Sequence, residues 1–421
     1  MQQSMPNRLA EYVDAAIATV PYYRRHRHEY LGRSFEQLPL LSKQQLRAGF
    51  PSEFLAAMTP VSSWIEAGRC EVLSTSGTGS DKLFVVANTR LPAFPSALPA
   101  LWGLPEDAPL RRVAVVSSPS CAGGSCAAGY EGRLFGGGGT LISAMPADLS
   151  EGEGRARAIV EDLWRFGPDL FFANPSYLLW LARSAQSLGL SLPRVSVVIS
   201  AYQFTQRCTA RAIESLLGCR VLGNYAASDL AGCQAAFECH RGRYHVFEEQ
   251  CHVEALDASG SPSLDRLGRL AITTVGNDLY PLVRYLVGDL GIVRAPSCDC
   301  PLGAAPVVEI FGRGSEVTFA EGSFTTCREL DQLVSGVEGI DTYRLVQLDA
   351  AHGILEVVLA PGAEPDLTAL CAAVQDRTRI AQVQPRIEAQ LSPERGLKFS
   401  TIRSYHGRAW GHESSSNREQ T

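Results

Sequence analysis

The sequence predicts an α/β fold, with a large N-terminal domain built of βαβ units and a β-rich subdomain, followed by a small α+β C-terminal domain. Apolar strand-like segments alternate with amphipathic helical segments between residues 155 and 222, which is typical of parallel βαβ units. From about residue 244 the segments become β-rich, and after Gly312-Arg313-Gly314 a shorter module carries its own strands and helix. The predicted boundaries are 1–313 for the large domain, about 236–310 for its β-rich subdomain, 314–405 for the small domain and 406–421 for a flexible tail.

Composition excludes several classes of protein. A chain of 421 residues with 45% hydrophobic and 19% charged residues is typical of a globular protein with two or three cores. The net charge of −6 gives no support for a nucleic-acid partner. The sequence has no apolar run of about 18 residues, and residues 1–7 are polar, so we expect no membrane partner and a cytoplasmic location.

Local patterns along the chain indicate individual helices and strands. Residues 8–30 have apolar positions at helical spacing, and Ser42 is suited to be the N-cap of a short helix beginning at Lys43. Residues 112–116 and 140–142 are typical of buried strands. In the alternating region, Asn174-Pro175 predicts the start of a helix that follows a strand.

Ligands of parallel sheets bind beyond the carboxyl ends of the strands. Three polar or aromatic loops follow predicted strands at such ends, namely Asn174, Ala201-Tyr202-Gln203 and Asn224-Tyr225-Ala226-Ala227-Ser228-Asp229. The sequence therefore predicts that a small ligand binds at this edge of the sheet.

A loop rich in hydroxyl groups lies earlier in the chain, at Leu73–Lys82. Its glycines and hydroxyls can bring donors close to an anion, and its lysine adds a point charge suited to phosphate. It lacks the GxxxxGK[ST] spacing of a P-loop, and its composition alone also fits a flexible surface turn.

Six segments in the same order resemble the adenylate-forming superfamily of acyl-CoA synthetases, and within it the phenylacetate–CoA ligase branch. The resemblance runs from about Tyr22 to Lys398. The segments are Leu38–Lys43, Ser74–Lys82, Asn174–Leu178, Asn224–Asp229, Pro281–Asp289 and Phe311–Arg313.

The resemblance implies an ATP site, a catalytic pair and a magnesium site. The small α+β C-terminal domain would be mobile, and its Lys398 would stabilise charge on the α-phosphate. Asp229 would hold Mg²⁺ together with Thr78. Tyr225 would stack on the adenine, Asp289 would accept hydrogen bonds from the ribose hydroxyls, and Arg313 would lie near the ribose and phosphate. The implied ATP-binding residues are Ser74, Thr75, Ser76, Gly77, Thr78, Gly79, Lys82, Asn224, Tyr225, Ala226, Ser228, Asp289 and Arg313.

Loop placement and the resemblance together also suggest a pocket for a flat acid, because the candidate side chains are aromatic or small. They are Tyr130, Tyr177, Ala201, Tyr202 and Ala227.

The chain departs from the family pattern at three places. The phosphate loop is one residue short and contains Asp81, Asp229 replaces the usual glutamate, and one residue is inserted between Gly396 and Lys398. These departures leave open a ligase with weakened activity, or a protein that binds its ligands without catalysis.

Two short cysteine-containing pairs predict a structural zinc site. Cys239-x5-His245 and Cys298-Asp299-Cys300 together provide three thiolates and one imidazole, a ligand set that closes a tetrahedral zinc site. Sequences of the phenylacetate–CoA ligase branch resemble the chain at these positions. Nearby alternative ligands are His240, Cys251 and His252, and a set of reduced loop cysteines is the interpretation without metal.

The predicted function is ATP-dependent activation of an aromatic carboxylic acid as acyl-AMP, with release of pyrophosphate and transfer to a thiol, most simply that of coenzyme A. Alternative acceptors are an amine or a carrier protein in secondary metabolism, and the third hypothesis is a nucleotide- or aryl-binding protein that has lost catalysis. A homodimer is a candidate assembly.

Overall fold

The computed structural model describes residues 5–56, 61–74, 83–91, 98–105, 108, 110–118, 139–146, 149–394 and 398–405. Within these residues, none of the helices combines the length and the apolarity that crossing a bilayer requires. The helices are Met5–Thr19 (α1), Pro21–Arg25 (α2), Arg27–Tyr30 (α3), Lys43–Gly49 (α4), Val61–Glu66 (α5), Leu98–Leu101 (α6), Glu153–Phe166 (α7), Pro175–Ser187 (α8), Arg207–Leu217 (α9), Cys327–Val334 (α10) and Leu367–Thr378 (α11).

The strands form one large sheet, one small sheet and two hairpins. The strands up to residue 313 are Cys70–Ser74 (β1), Phe84–Asn88 (β2), Val113–Ser117 (β3), Thr140–Ala144 (β4), Leu170–Ala173 (β5), Val197–Ser200 (β6), Arg220–Ala226 (β7), Gln234–Glu238 (β8), Tyr244–Val246 (β9), His252–Leu256 (β10), Gly268–Thr273 (β11), Tyr285–Arg294 (β12) and Val307–Arg313 (β13). Those after it are Thr318–Ala320 (β14), Ser323–Thr325 (β15), Ile340–Gln347 (β16), His352–Leu359 (β17), Gln382–Ile387 (β18) and Ile402–Ser404 (β19).

The large sheet has the order β10-β11-β12-β13-β9-β8-β7-β6-β5-β3-β4. Strands β4, β3, β5, β6 and β7 pair in parallel, as the alternating segments predict, and β7 also begins the antiparallel half. The β-rich region therefore continues the same sheet. The predicted α/β fold class is confirmed.

Packing on both faces holds the parallel half of the sheet. Apolar side chains of α7, α8 and α9 cover one face, and the region around α6 covers the other. The Asn174 side chain caps α8 by accepting from the N–H groups of Ser176 and Tyr177, so the helix begins where the sequence predicts.

The structure of strand β12 differs from the sequence prediction. Leu282–Tyr285 and Gly291–Val293 look like separate segments, because the polar pair Gly288-Asp289 interrupts the apolar pattern. The structure has one strand, Tyr285–Arg294, with a bulge between Leu290 and Gly291. Pairing on both edges, with β11 and β13, supplies the hydrogen bonds that keep the strand continuous.

The elements after β13 form a smaller unit, which we call the small lobe: β14 to β19 with α10 and α11. Its four-stranded sheet has the order β18-β17-β16-β19, and its apolar core lies between this sheet and the two helices. Cys208 of α9 also belongs to this core, so the small lobe packs directly on the rest of the chain, which we call the large lobe. The residue limits of the two domains stay a prediction.

Candidate active site

A cavity of about 1030 Å³ opens at the carboxyl ends of the parallel strands and is lined by both lobes. The register of β3, β5 and β6 aligns these strand ends, because Val116 pairs with Ala173 and Ala173 pairs with Ser200. The predicted residues that line the cavity are Asn224, Tyr225, Ala226, Ser228, Asp229, Asp289, Arg313 and Lys398 of the nucleotide and catalytic set, and Ala201, Tyr202 and Ala227 of the acid pocket.

The remaining predicted residues lie elsewhere or outside the described residues. Tyr177 is fully buried in α8 and packs edge-on against Phe399, with ring centroids 5.1 Å apart, so it does not line the cavity. Ser74 ends strand β1 beside Leu73, which does line it. Thr75, Ser76, Gly77, Thr78, Gly79, Lys82 and Tyr130 lie outside the described residues.

Asp289 lies at the centre of a charged group formed by three strands. It is the cross-strand partner of Arg313, and its Oδ2 accepts a hydrogen bond of 2.8 Å from the Tyr225 hydroxyl. Burial raises the pKa of the Asp289 carboxyl, while the Arg313 guanidinium and the Tyr225 hydroxyl act in the opposite direction. The site thus holds a half-buried carboxylate with an adjacent permanent cation.

Asp229 lies beside this group and is held by two side chains. Its Oδ2 accepts a hydrogen bond of 2.7 Å from the Tyr285 hydroxyl and lies 3.4 Å from the Lys43 ammonium. A carboxylate in this setting is a suitable oxygen ligand for Mg²⁺.

Asn224 has a buried acceptor that no group of the described protein satisfies. Its Nδ2 donates to Gln234 Oε1 at 2.9 Å, but its Oδ1 has no hydrogen-bond partner although the residue is only 8% exposed. Such an acceptor costs free energy unless a ligand or water donates to it. Because Asn224 lines the cavity, this atom fits the amino group of a bound base.

Lys43 lines the site but was not predicted as a site residue, although it ends the segment Leu38–Lys43. Ser42 forms a capping box with Gln45, and this cap sets the start of α4 so that Lys43 reaches Asp229. The rarity of lysine is a signal that could have identified Lys43. The chain has three lysines among its 38 basic residues, namely Lys43, Lys82 and Lys398. Lys43 and Lys398 both line the cavity.

The predicted cysteine–histidine group is assembled beside the cavity. Cys239 follows β8, His245 lies in β9, and Cys298 and Cys300 lie in the loop before β13, whose Val307 pairs with His245. The four ligand atoms lie within 4.8 Å of one another.

The geometry of this group fits a tetrahedral zinc ion. Cys239 Sγ and Cys298 Sγ are 3.9 Å apart, close to the roughly 3.8 Å that Zn–S bonds of about 2.3 Å at a tetrahedral angle produce. Cys300 Sγ lies 3.2 Å from His245 Nε2. Of the alternative ligands, His240 contacts the Leu101 carbonyl through Nδ1, and neither Cys251 nor His252 belongs to the group.

Comparison with known proteins identifies the fold. The phenylacetate–coenzyme A ligase of Thermus thermophilus is 27% identical over 164 residues, which are 37% of this chain and 37% of that ligase. The enzyme of the same name from Pseudomonas putida is 28% identical over 217 residues, or 48% of each chain. A crystal structure of 2-hydroxyisobutyryl-CoA ligase in the postadenylation state, with 2-HIB-AMP, superposes with a TM-score of 0.74 at 19% identity, covering 96% of this chain and 89% of that one. The chain has the fold of an adenylate-forming ligase.

The similarity to the adenylate-forming ligases covers less of the chain in sequence than in structure. The aligned segments span less than half the length of these two curated relatives, and no protein-family model matches the chain. The fold matches over nearly the whole chain. Together these matches confirm the predicted resemblance to the phenylacetate–CoA ligase branch of the adenylate-forming superfamily.

Proposed function

We propose that the protein activates a carboxylic acid with ATP, forming acyl-AMP and pyrophosphate, and then transfers the acyl group to the thiol of coenzyme A. The observation that carries the proposal is the cavity itself. It gathers Asn224, Tyr225 and Asp289 from the large lobe and Lys398 from the small lobe around one volume large enough for a nucleotide and a small acid.

The nucleotide has a chemically matched place in this cavity. The unsatisfied Oδ1 of Asn224 can accept from the adenine amino group, and the Tyr225 ring offers a stacking surface. The Asp289 carboxylate can accept from two ribose hydroxyls, because each of its oxygens has free lone pairs beyond the bond from Tyr225. Arg313, paired with Asp289 across the strands, adds positive charge for the phosphates.

The chemistry needs positioning and charge stabilisation more than a protein nucleophile. An oxygen of the acid attacks the α-phosphorus, and the bond to the bridging oxygen breaks, so that pyrophosphate leaves with the electron pair. The Lys398 ammonium stabilises the negative charge that develops at the α-phosphate. The thiolate of coenzyme A then attacks the acyl carbon, and AMP leaves.

We propose two metal sites, one for Mg²⁺ and one for Zn²⁺. Mg²⁺ would be held by Asp229 together with Thr78, which lies outside the described residues, and would neutralise phosphate charge. Zn²⁺ would be held by Cys239, His245, Cys298 and Cys300 and would connect two loops without taking part in the reaction.

The acid is proposed to be aromatic. Tyr202 lines the cavity and packs edge-on against Phe172, while Ala201 and Ala227 leave room beside them. The two curated relatives are named for phenylacetate, which supports the same class.

The arrangement of the lobes supports a role in adenylation. The chain superposes less well on 2-hydroxyisobutyryl-CoA ligase with 2-HIB-AMP and CoA in the thioesterification state, with a TM-score of 0.58, than on the postadenylation state, with 0.74. Rotation of the small lobe about residues 312–315 between the two half-reactions would account for this difference.

The direct test is ATP–pyrophosphate exchange with phenylacetate, anthranilate and 2-hydroxyisobutyrate as candidate acids. We expect exchange with at least one aryl acid, and we expect Lys398→Ala to lower its rate by about 100-fold or more. Adding coenzyme A, an amine or a carrier protein to the reaction then identifies the acceptor. Binding of AMP without exchange by any acid would favour a protein that has lost catalysis.

A further inference from the structure

The N-terminus of α9 meets the small lobe through buried polar groups. Gln206, the residue before α9, is only 6% exposed. Its Nε2 donates to the Tyr343 carbonyl at 2.8 Å, and its Oε1 accepts from the Tyr343 N–H at 3.2 Å and the Thr342 hydroxyl at 2.9 Å. The amide therefore forms a two-way backbone pairing with strand β16 of the other lobe.

Asp331 caps α9 from the other lobe. The Gln206 side chain does not cap its own helix; instead the Arg207 backbone N–H donates to both carboxylate oxygens of Asp331, at 3.1 and 3.3 Å. Asp331 lies in α10 and is only 2% exposed. A carboxylate at a helix N-terminus satisfies a free N–H and interacts favourably with the helix dipole.

The same contacts extend to the segment that carries Lys398. Gln206 Nε2 also lies 3.3 Å from Thr401 Oγ1, and the Thr401 N–H donates to Glu316 Oε2 at 3.3 Å. Thr401 follows Lys398 by three residues, and its carbonyl accepts from Leu345 of β16. A shift of the small lobe on α9 would therefore also shift the backbone that presents Lys398.

We propose that Gln206 and Asp331 are positioning residues for the adenylation half-reaction, which dock the small lobe so that Lys398 faces the cavity. The inference rests on the proposed function. Its physical basis is that buried polar groups are satisfied only in one register, so a small displacement breaks several hydrogen bonds at once. The Gln206 bonds to β16 and the Asp331 bonds to the Arg207 N–H cross between the lobes, so their loss favours the undocked arrangement. Asp331 Oδ1 also accepts from the hydroxyls of Ser335 and Tyr343 inside the small lobe, at 2.9 and 3.1 Å.

Hydrogen–deuterium exchange tests the docking without any substrate. In Asp331→Ala we expect the peptide covering β16 to exchange about tenfold faster. Tyr343→Phe, which removes only the bond from the Tyr343 hydroxyl to Asp331 inside the small lobe, should leave β16 protected. In Gln206→Glu, which removes the amide donor at nearly constant size, we expect faster exchange of the peptide covering the start of α9. Each variant is thus measured at the other contact. Asp331→Asn should restore protection, because asparagine also caps helices.

Asp366→Ala is the matched control. Asp366 caps α11 through the Ala369 N–H at 2.9 Å, a contact that lies wholly within the small lobe. We expect this variant to alter exchange in α11 alone. Acceleration of β16 and of the α9 start in the control as well would show a general loss of structure and overturn the proposal.

The two half-reactions provide the functional measurement. In Asp331→Ala and Gln206→Glu we expect the rate of ATP–pyrophosphate exchange to fall about tenfold, while thioester formation from added phenylacetyl-AMP and coenzyme A is not slowed. An equal decrease in both half-reactions, or unchanged exchange at both contacts, contradicts the positioning role. If the wild type catalyses neither half-reaction, the proposed function fails, and the deuterium measurement alone decides whether these residues dock the lobe.

Discussion

At the scale of single residues, Asp289 shows how neighbours set the charge of a candidate binding group. Burial raises the pKa of its carboxyl, while Arg313 and the Tyr225 hydroxyl hold it down. In the proposed function the ionised carboxylate accepts from both ribose hydroxyls, whereas protonation turns one of its oxygens into a donor. Nucleoside binding would therefore be strongest above this raised pKa and would weaken as the pH falls through it.

We predict that, as the pH is lowered from 8, the affinity for adenosine begins to fall at a pH above the ordinary aspartate pKa of about 4. Calorimetric titration at each pH measures the affinity. Adenosine is chosen because it has no phosphate that titrates in this range. Tyr225→Phe should move the decrease to higher pH, since it removes a donor to the carboxylate. Asp289→Asn should weaken binding about 10-fold or more and abolish this step. A wild-type affinity that stays constant with pH would show that Asp289 does not contact the nucleoside.

Arg284 is a second residue whose environment determines its effect. It is 2% exposed with φ of 49°, pairs with Glu254 through two bonds of 3.0 and 3.1 Å, and donates to the carbonyls of Glu36, Leu38 and Gly260. It thereby connects the N-terminal segment before α4 to strands β10 and β12.

We predict that Glu254→Gln lowers the free energy of unfolding by about 3 kcal/mol, because it leaves a buried guanidinium without its counter-charge. Urea denaturation followed by tryptophan fluorescence measures the change. Asp162→Asn in α7 is the control, since its ion pair with Arg165 is exposed and contributes at most about 1 kcal/mol. Equal effects in the two variants would contradict this account.

At the scale of elements, Gly223 controls how closely the antiparallel half approaches β7. A Cβ at this position would overlap the hydroxyl of Tyr244 in β9. The Gly223 N–H also donates to Glu238 Oε2 at 2.7 Å. The next residues along β7 are Asn224 and Tyr225, so the close approach also shapes the cavity.

We predict that Gly223→Ala destabilises the protein by about 1–3 kcal/mol through steric overlap. The same substitution at Gly154 in α7, where a Cβ would meet no atom within 4 Å, should instead stabilise by up to about 1 kcal/mol. Thermal unfolding of both variants checks the opposite signs. A Gly223→Ala variant as stable as the wild type would show that the Tyr244 side chain moves aside and that the overlap does not determine stability.

At the scale of the whole molecule, the cysteine–histidine group connects segments about 60 residues apart. Cys239 and Cys298 meet through the pairing of β9 with β13 in the large sheet. A metal ion bound in the folded state and absent from the unfolded chain adds its binding free energy to stability.

We predict one zinc per chain by elemental analysis, and a chelator that lowers the thermal midpoint by about 5 °C or more. Cys300→Ala should lose the zinc, and the chelator should then have no further effect on it. Cys371→Ala, a buried cysteine in the small lobe, should keep the zinc. A wild-type protein purified with zinc available but containing none would refute the site.

Much of the fold could be predicted because its signals are local. The Ser42 cap, the Asn174-Pro175 helix start and the alternation of apolar segments act within a few residues, and each agrees with the structure. Strand β8 was missed because its pairing with β7 and β9, and not its composition, makes it a strand. Strand β13 was also missed, although Val307, Val308, Ile310 and Phe311 are strand-forming residues.

The sequence by itself determined the α/β fold class, the order of the polar loops at the strand ends and the set of candidate metal ligands. The tertiary structure decided which of these meet: Lys43 reaches Asp229, Tyr177 lies in the core, and His240 stays outside the cysteine–histidine group. It also decided that Asp331 caps α9 from another lobe. The physical reason is that such contacts depend on strand register and on the packing of distant segments, for which no stretch of sequence carries a local signal.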